Sequence, residues 1–203
     1  MPHADFFDAV PRLTMRDPLS EFLGAFEGGV VEYAYVDAVK LAGHSCPTVA
    51  SAYWLTVRAL RALYGADLPE RGAIHVEFRE SRETGVIGVI ANVVSMLTGA
   101  TADTGFKGLG GRFDRRHLLG FEAELSLDIR YTRVDTGARV DAAARLAHVP
   151  ADPAMPALMQ RCLTGAASSE EARRFAQLWQ DRVRRVLLEH GEDPEVFVIR
   201  QLD

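Results

Sequence analysis

The chain predicts an α+β domain, with helices packed on a mixed, largely antiparallel sheet. Three observations carry this expectation. Residues 121–131 alternate, with Phe121, Ala123, Leu125, Leu127, Ile129 and Tyr131 on one face and Glu122, Glu124, Ser126, Asp128 and Arg130 on the other. Asp135-Thr136-Gly137 then turns the chain and residues 140–147 return, which is the pattern of a β-hairpin. Behind Pro47, Val49, Tyr53, Val57, Leu60 and Leu63 recur at helical spacing, and beyond Pro153 the composition turns helical.

In chain order, residues 1–19 carry Pro2, Pro11 and Pro18 among apolar residues and read as a partly ordered arm. A short helix over 19–26 would be capped by Asp17, with Pro18 in its first position. Residues 30–36 alternate as a strand. The helix that starts at Pro47 stops at Gly65. Residues 73–80 alternate as a second strand, and 85–97, apolar almost throughout, form a buried helix. The five glycines within 98–111 mark a loop or tight turn. Residues 154–163 form a short helix, Ser168-Ser169-Glu170-Glu171 opens another with a capping box, and 195–199 add a last strand.

With 203 residues, 48% hydrophobic and 25% charged, the chain has the profile of one folded domain. A net charge of −5 argues against a nucleic-acid partner. The arginines between 173 and 185 alternate with Glu170, Glu171, Asp181 and Glu189, as on a solvated helix face. No apolar run is long enough for a membrane span, and the first residues lack a secretory pattern, so a cytoplasmic location is expected. Cys46 and Cys162 are the two cysteines, too few for a disulfide framework or a four-thiolate zinc site. The glycine-rich loop matches neither a Walker A motif nor a dinucleotide fingerprint.

The sharper signal is Ala42-Gly43-His44-Ser45-Cys46-Pro47. An imidazole and a thiol two residues apart at a helix start can face one point, and the helix N-terminus favours the thiolate. That pair suits zinc, with nickel, iron or copper as alternatives. The plainer reading is a small buried cysteine beside a histidine satisfied by backbone groups. Cys162, on the 154–163 helix, reads as packed core.

Gly43-His44-Ser45-Cys46-Pro47, the long helix, and then Leu97-Thr98-Gly99-Ala100-Thr101 with its glycine-lysine-glycine turn resemble the E-subunit family of formylmethanofuran dehydrogenase. The resemblance spans roughly 36–121. It departs from the family where Ala100 takes the place of a second cysteine, and Asn92 stands about where an aspartate is expected. The cysteine pairs of a zinc-finger tail are absent. The resemblance implies an α+β core that forms an intertwined homodimer, and it carries over His44 and Cys46 as ligands of a divalent transition metal, zinc first, nickel or iron next.

Two ligands need completion by water, a second subunit or another residue. His117, after the glycine loop, is the next candidate, followed by Asp37 and by His75 and Glu77 on one face of their strand. An open metal site could act on a small-molecule ligand by hydrolytic or lyase chemistry, with Glu77, Glu80 or Asp37 as base and Lys107 or Tyr35 steadying negative charge. Alternatively, the metal would serve a sensor or carrier through a partner interface. On this reading residues 1–28 are an arm with a short helix, 29–150 the metal-binding core, and 151–203 C-terminal helices and a strand that complete the domain or its dimer interface.

Overall fold

A computed structural model describes residues 3–202. From residue 3 onward, the stretch expected as a partly ordered arm is built into the domain. A 3-10 turn over Asp5–Ala9 leads to β1 (Leu13–Arg16), which runs antiparallel to β2 (Val30–Tyr33) with Leu13 opposite Tyr33. Phe7, Val10, Leu13 and Met15 hold it there, buried in the same apolar core as the later elements. The expected boundary at residue 28 therefore falls between two paired strands. Between them lies α1 (Pro18–Phe22), whose first N–H groups, from Leu19 and Ser20, donate to the Asp17 carboxylate.

The strand expected over 30–36 ends at Tyr33, because Tyr35–Ala42 is a helix, α2. Asp37 decides the switch: its carboxylate accepts the Ala34 N–H at 2.9 Å and satisfies an orphan donor at the helix start. Tyr35 and Ala38 then point into the core, three residues apart. The following helix, α3 (Pro47–Tyr64), is the centre of the molecule. Every residue from Val49 to Val57 is buried, as expected of a helix covered on all sides. The sheet lies against it on one side, with α2 and α4 (Ile87–Thr98) packed elsewhere around it.

β3 (Ile74–Phe78) leads through α4 to a small antiparallel hairpin, β4 (Lys107–Leu109) and β5 (Arg112–Asp114), and then to β6 (Leu119–Gly120). β7 (Ile129–Arg133), β8 (Arg139–Ala144) and β9 (Phe197–Leu202) complete a five-stranded sheet in the order β6-β3-β7-β8-β9. Only β3 and β6 pair in parallel. The α+β expectation holds.

The long strand expected over 121–131 is not formed. The alternation is real as burial, since Phe121, Ala123, Leu125 and Leu127 turn inward while Glu122, Glu124 and Ser126 are exposed. No ladder follows because β6 and β7 already occupy both edges of β3. The segment instead makes separate bonds, Ala123 N–H to Phe78 O and Asp128 N–H to Ala142 O, and Glu122 takes φ +60°. The hairpin itself is shorter, β7 and β8 around the turn at 135–137.

α5 (Met155–Leu163) and α6 (Ser169–Arg184) follow, α6 opening with the capping box of Ser168 and Glu171 and ending in a π-helical turn at Arg185–Glu189. The arginines at its C-terminal end are spent within the fold. Arg184 and Arg185 pair with Asp181, and Arg182 donates to the carbonyls of Val149 and Leu146. Among the described residues, no helix is long and apolar enough to cross a membrane.

Candidate functional site

The His-x-Cys segment bridges α2 and α3. Gly43 ends α2 in the left-handed conformation (φ +74°), where a side chain would be strained. It turns the chain so that His44 is exposed and its Nδ1 donates to Ala42 O at 2.9 Å. With Nδ1 donating, a neutral ring carries its lone pair on Nε2, the arrangement that backbone carbonyls impose on metal-bound histidines.

Cys46 has the opposite environment. It is 8% exposed and sits at the N-cap of α3, where its Sγ accepts the Val49 N–H at 3.4 Å and Pro47 follows in the first helical position. Cys162, half-buried on α5, is also a free thiol.

Ser45, between them, is the anchor. Its hydroxyl meets Tyr35 Oη at 2.9 Å and donates to Gln180 Oε1 at 3.0 Å, while its carbonyl accepts from Trp179 Nε1 at 2.9 Å and Gln180 Nε2 at 3.2 Å. α6 thus clamps the metal-site candidate from 134 residues away in sequence. Sequence reasoning missed this role for Trp179 and Gln180. The one signal was Trp179 on the apolar stripe of an otherwise polar helix.

Tyr35 is fully buried and its hydroxyl is committed to Ser45, with burial holding its phenol in the neutral form. It packs edge-on against Phe7 and Tyr53, so it supports the loop from beneath and does not face a ligand.

The second family-like segment lies at the end of α4. Thr98 Oγ1 donates to Val94 O and accepts the Ala100 N–H, and Ala100 is completely buried. The glycine-rich loop then leads into the β4–β5 hairpin. A hollow of about 590 Å³ opens between α4 and this loop, but Lys107 does not line it. Lys107 is instead exposed on β4, opposite Asp114 in the register.

His117 is exposed, with φ +60° and its backbone N–H bonded to Ala102 O. The hydrogen bonds from Arg116, aided by the charge of the nearby His117, hold the Asp114 carboxyl down at about 2. Among the described residues, no group of three or more His, Cys, Asp or Glu side chains is gathered closely enough to hold a metal ion. His44, Cys46 and His117 therefore do not form a three-ligand site within one chain. The physical reason is that the turn carrying His117 is tied to 101–102 by backbone bonds, whereas His44 is tied to the end of α2.

The candidate bases are engaged as well. Asp37 holds the start of α2 and reaches Lys40 at 3.2 Å, His75 Nδ1 and Glu77 Oε2 are 3.7 Å apart, and Glu80 lies 3.4 Å from Arg79. Neither a protein-family model nor a curated protein matches the chain.

Proposed function

We propose that the protein binds one divalent transition metal, zinc first, through His44 Nε2 and Cys46 Sγ, as in the E-subunit family of formylmethanofuran dehydrogenase that its sequence resembles. The observation that carries this is the Nδ1–Ala42 O bond, which in the neutral ring puts the lone pair on Nε2, two residues from a thiol at a helix N-terminus. The donor types fit a borderline cation, but two ligands close no site by themselves. The remaining positions belong to water, a small-molecule ligand or a second copy of the chain in a homodimer. A metal held this openly supplies Lewis acidity. The chain's own contribution is positional: Ser45, clamped by Trp179 and Gln180, keeps the two ligand residues in place.

A second reading is favoured by the burial of Cys46 and its bond to the Val49 N–H, which suit a thiol that caps α3 and packs in the core. Elemental analysis of purified protein separates the two. The metal reading expects near-stoichiometric metal that is lost in both His44→Ala and Cys46→Ala. Protein that holds none after reloading with zinc, nickel and iron leaves Cys46 as a structural cap.

A further inference from the structure

We propose that the groove along the exposed side of α4 binds a small organic anion, through its carboxylate or phosphate group. Two hollows, of about 590 and 400 Å³, meet along this helix and share Asn92, Ser95 and Thr101 as common walls. Their combined volume is in the range of small-molecule sites. The charges that line them are Arg82 at one end and Arg71 and Arg115 at the other, and no Asp or Glu lines either hollow. In a chain of net charge −5, a groove with arginines and no carboxylate is a local positive field.

The arginines are also held in place. Arg115 and Arg71 grip the two oxygens of the same Asp17 carboxylate, at 2.6 and 3.0 Å, so two guanidiniums share one negative charge and the cluster keeps a net positive one. Arg71 is fixed further by Met96 O, to which its Nε and Nη2 donate. Gly99 leaves the wall bare beside them: a Cβ there would stand 2.9 Å from Arg115 Nη1 and 3.2 Å from the Arg71 side chain. At the other end, the Arg82 guanidinium lies over the Phe121 ring at 4.9 Å, and among the described residues it has no carboxylate partner.

Between these ends, the Asn92 amide and the Ser95 hydroxyl have no hydrogen-bond partner among the described residues. They supply neutral donors where the hollows join. Preorganised cations with unspent donors between them favour an anion over water, because little conformational entropy is lost when it binds. The proposal does not depend on a metal at His44 and Cys46.

Isothermal titration of metal-free protein at low ionic strength, with inorganic phosphate and separately with succinate, tests the groove. Saturable binding of either anion is expected, and the tighter one names the charged group recognised. Asn92→Asp, an isosteric change at an exposed position, places a carboxylate at the junction and is expected to weaken binding about tenfold or more. Arg82→Gln is expected to weaken it as well, while the combined His44→Ala, Cys46→Ala variant keeps it. Unchanged urea midpoints for Asn92→Asp and Arg82→Gln show that the fold is intact. Absence of saturable binding of both anions to the wild type overturns the proposal. So do binding that Asn92→Asp and Arg82→Gln leave unchanged, and binding lost with the His44 and Cys46 changes.

Discussion

Asp17 and Arg115, 98 residues apart in sequence, meet at 2.6 Å with both side chains about nine-tenths buried. The same carboxylate caps α1 and accepts from Arg71. One side chain therefore joins the N-terminal segment to the two stretches that lead into β3 and β6.

Asp17→Ala leaves two guanidiniums without their counter-charge and α1 without its cap. Removing one partner of a buried ion pair costs about 3–5 kcal/mol. A loss of that order in urea unfolding is expected, while a change below about 1 kcal/mol, the range of exposed pairs, would contradict the buried-network account.

The pH dependence has a definite sign. Burial pushes the Asp17 carboxyl up, but the hydrogen bonds from Arg115, the Ser20 N–H and Arg71 outweigh it and hold the group below the ordinary carboxylate range. A lowered folded-state pKa gives stability that is present above about pH 4 and lost as pH falls through the folded value. Urea midpoints measured from pH 7 to pH 2 should fall steeply below about pH 4 in the wild type. They should fall less in Asp17→Asn, and parallel curves would remove Asp17 as the cause.

Gly191 packs against the central helix. Trp54 Nε1 donates to its carbonyl at 2.6 Å, and a Cβ at Gly191 would stand 2.8 Å from that same nitrogen and closer still to Leu187 O. Gly191→Ala is expected to destabilise by about 1–3 kcal/mol through overpacking. Trp54→Phe would cost both the hydrogen bond and ring volume. A thermally neutral Gly191→Ala would show that the turn can move away from α3.

Ser168 and Glu171 bond each other's backbone at the start of α6, at 3.2 and 2.8 Å. Ser168→Ala should cost about 1 kcal/mol. Because α6 carries Trp179 and Gln180 to Ser45, hydrogen exchange at residues 43–46 should rise with fraying of α6. Fraying confined to α6 would mean that the Ser45 clamp is independent of the cap.

What the chain's own pattern determined follows from local rules. Pro47 and Gly65 bound α3, Ser168 and Glu171 open α6, and Asp17 with Pro18 opens α1, because caps act within four residues. The α+β class followed from the same periodicities.

Tertiary structure decided the rest. Residues 121–128 alternate like a strand and yet pair with nothing in a ladder, since an edge must be free before alternation becomes a strand, and β3 has none. Tyr35 looked available for a ligand and is sealed beneath Ser45. His44, Cys46 and His117 looked compatible as ligands, but convergence of side chains depends on long-range placement that spacing does not encode. The arginine groove on α4 was equally invisible, because Arg71, Arg82 and Arg115 belong to separate segments and become one field only when the chain is folded.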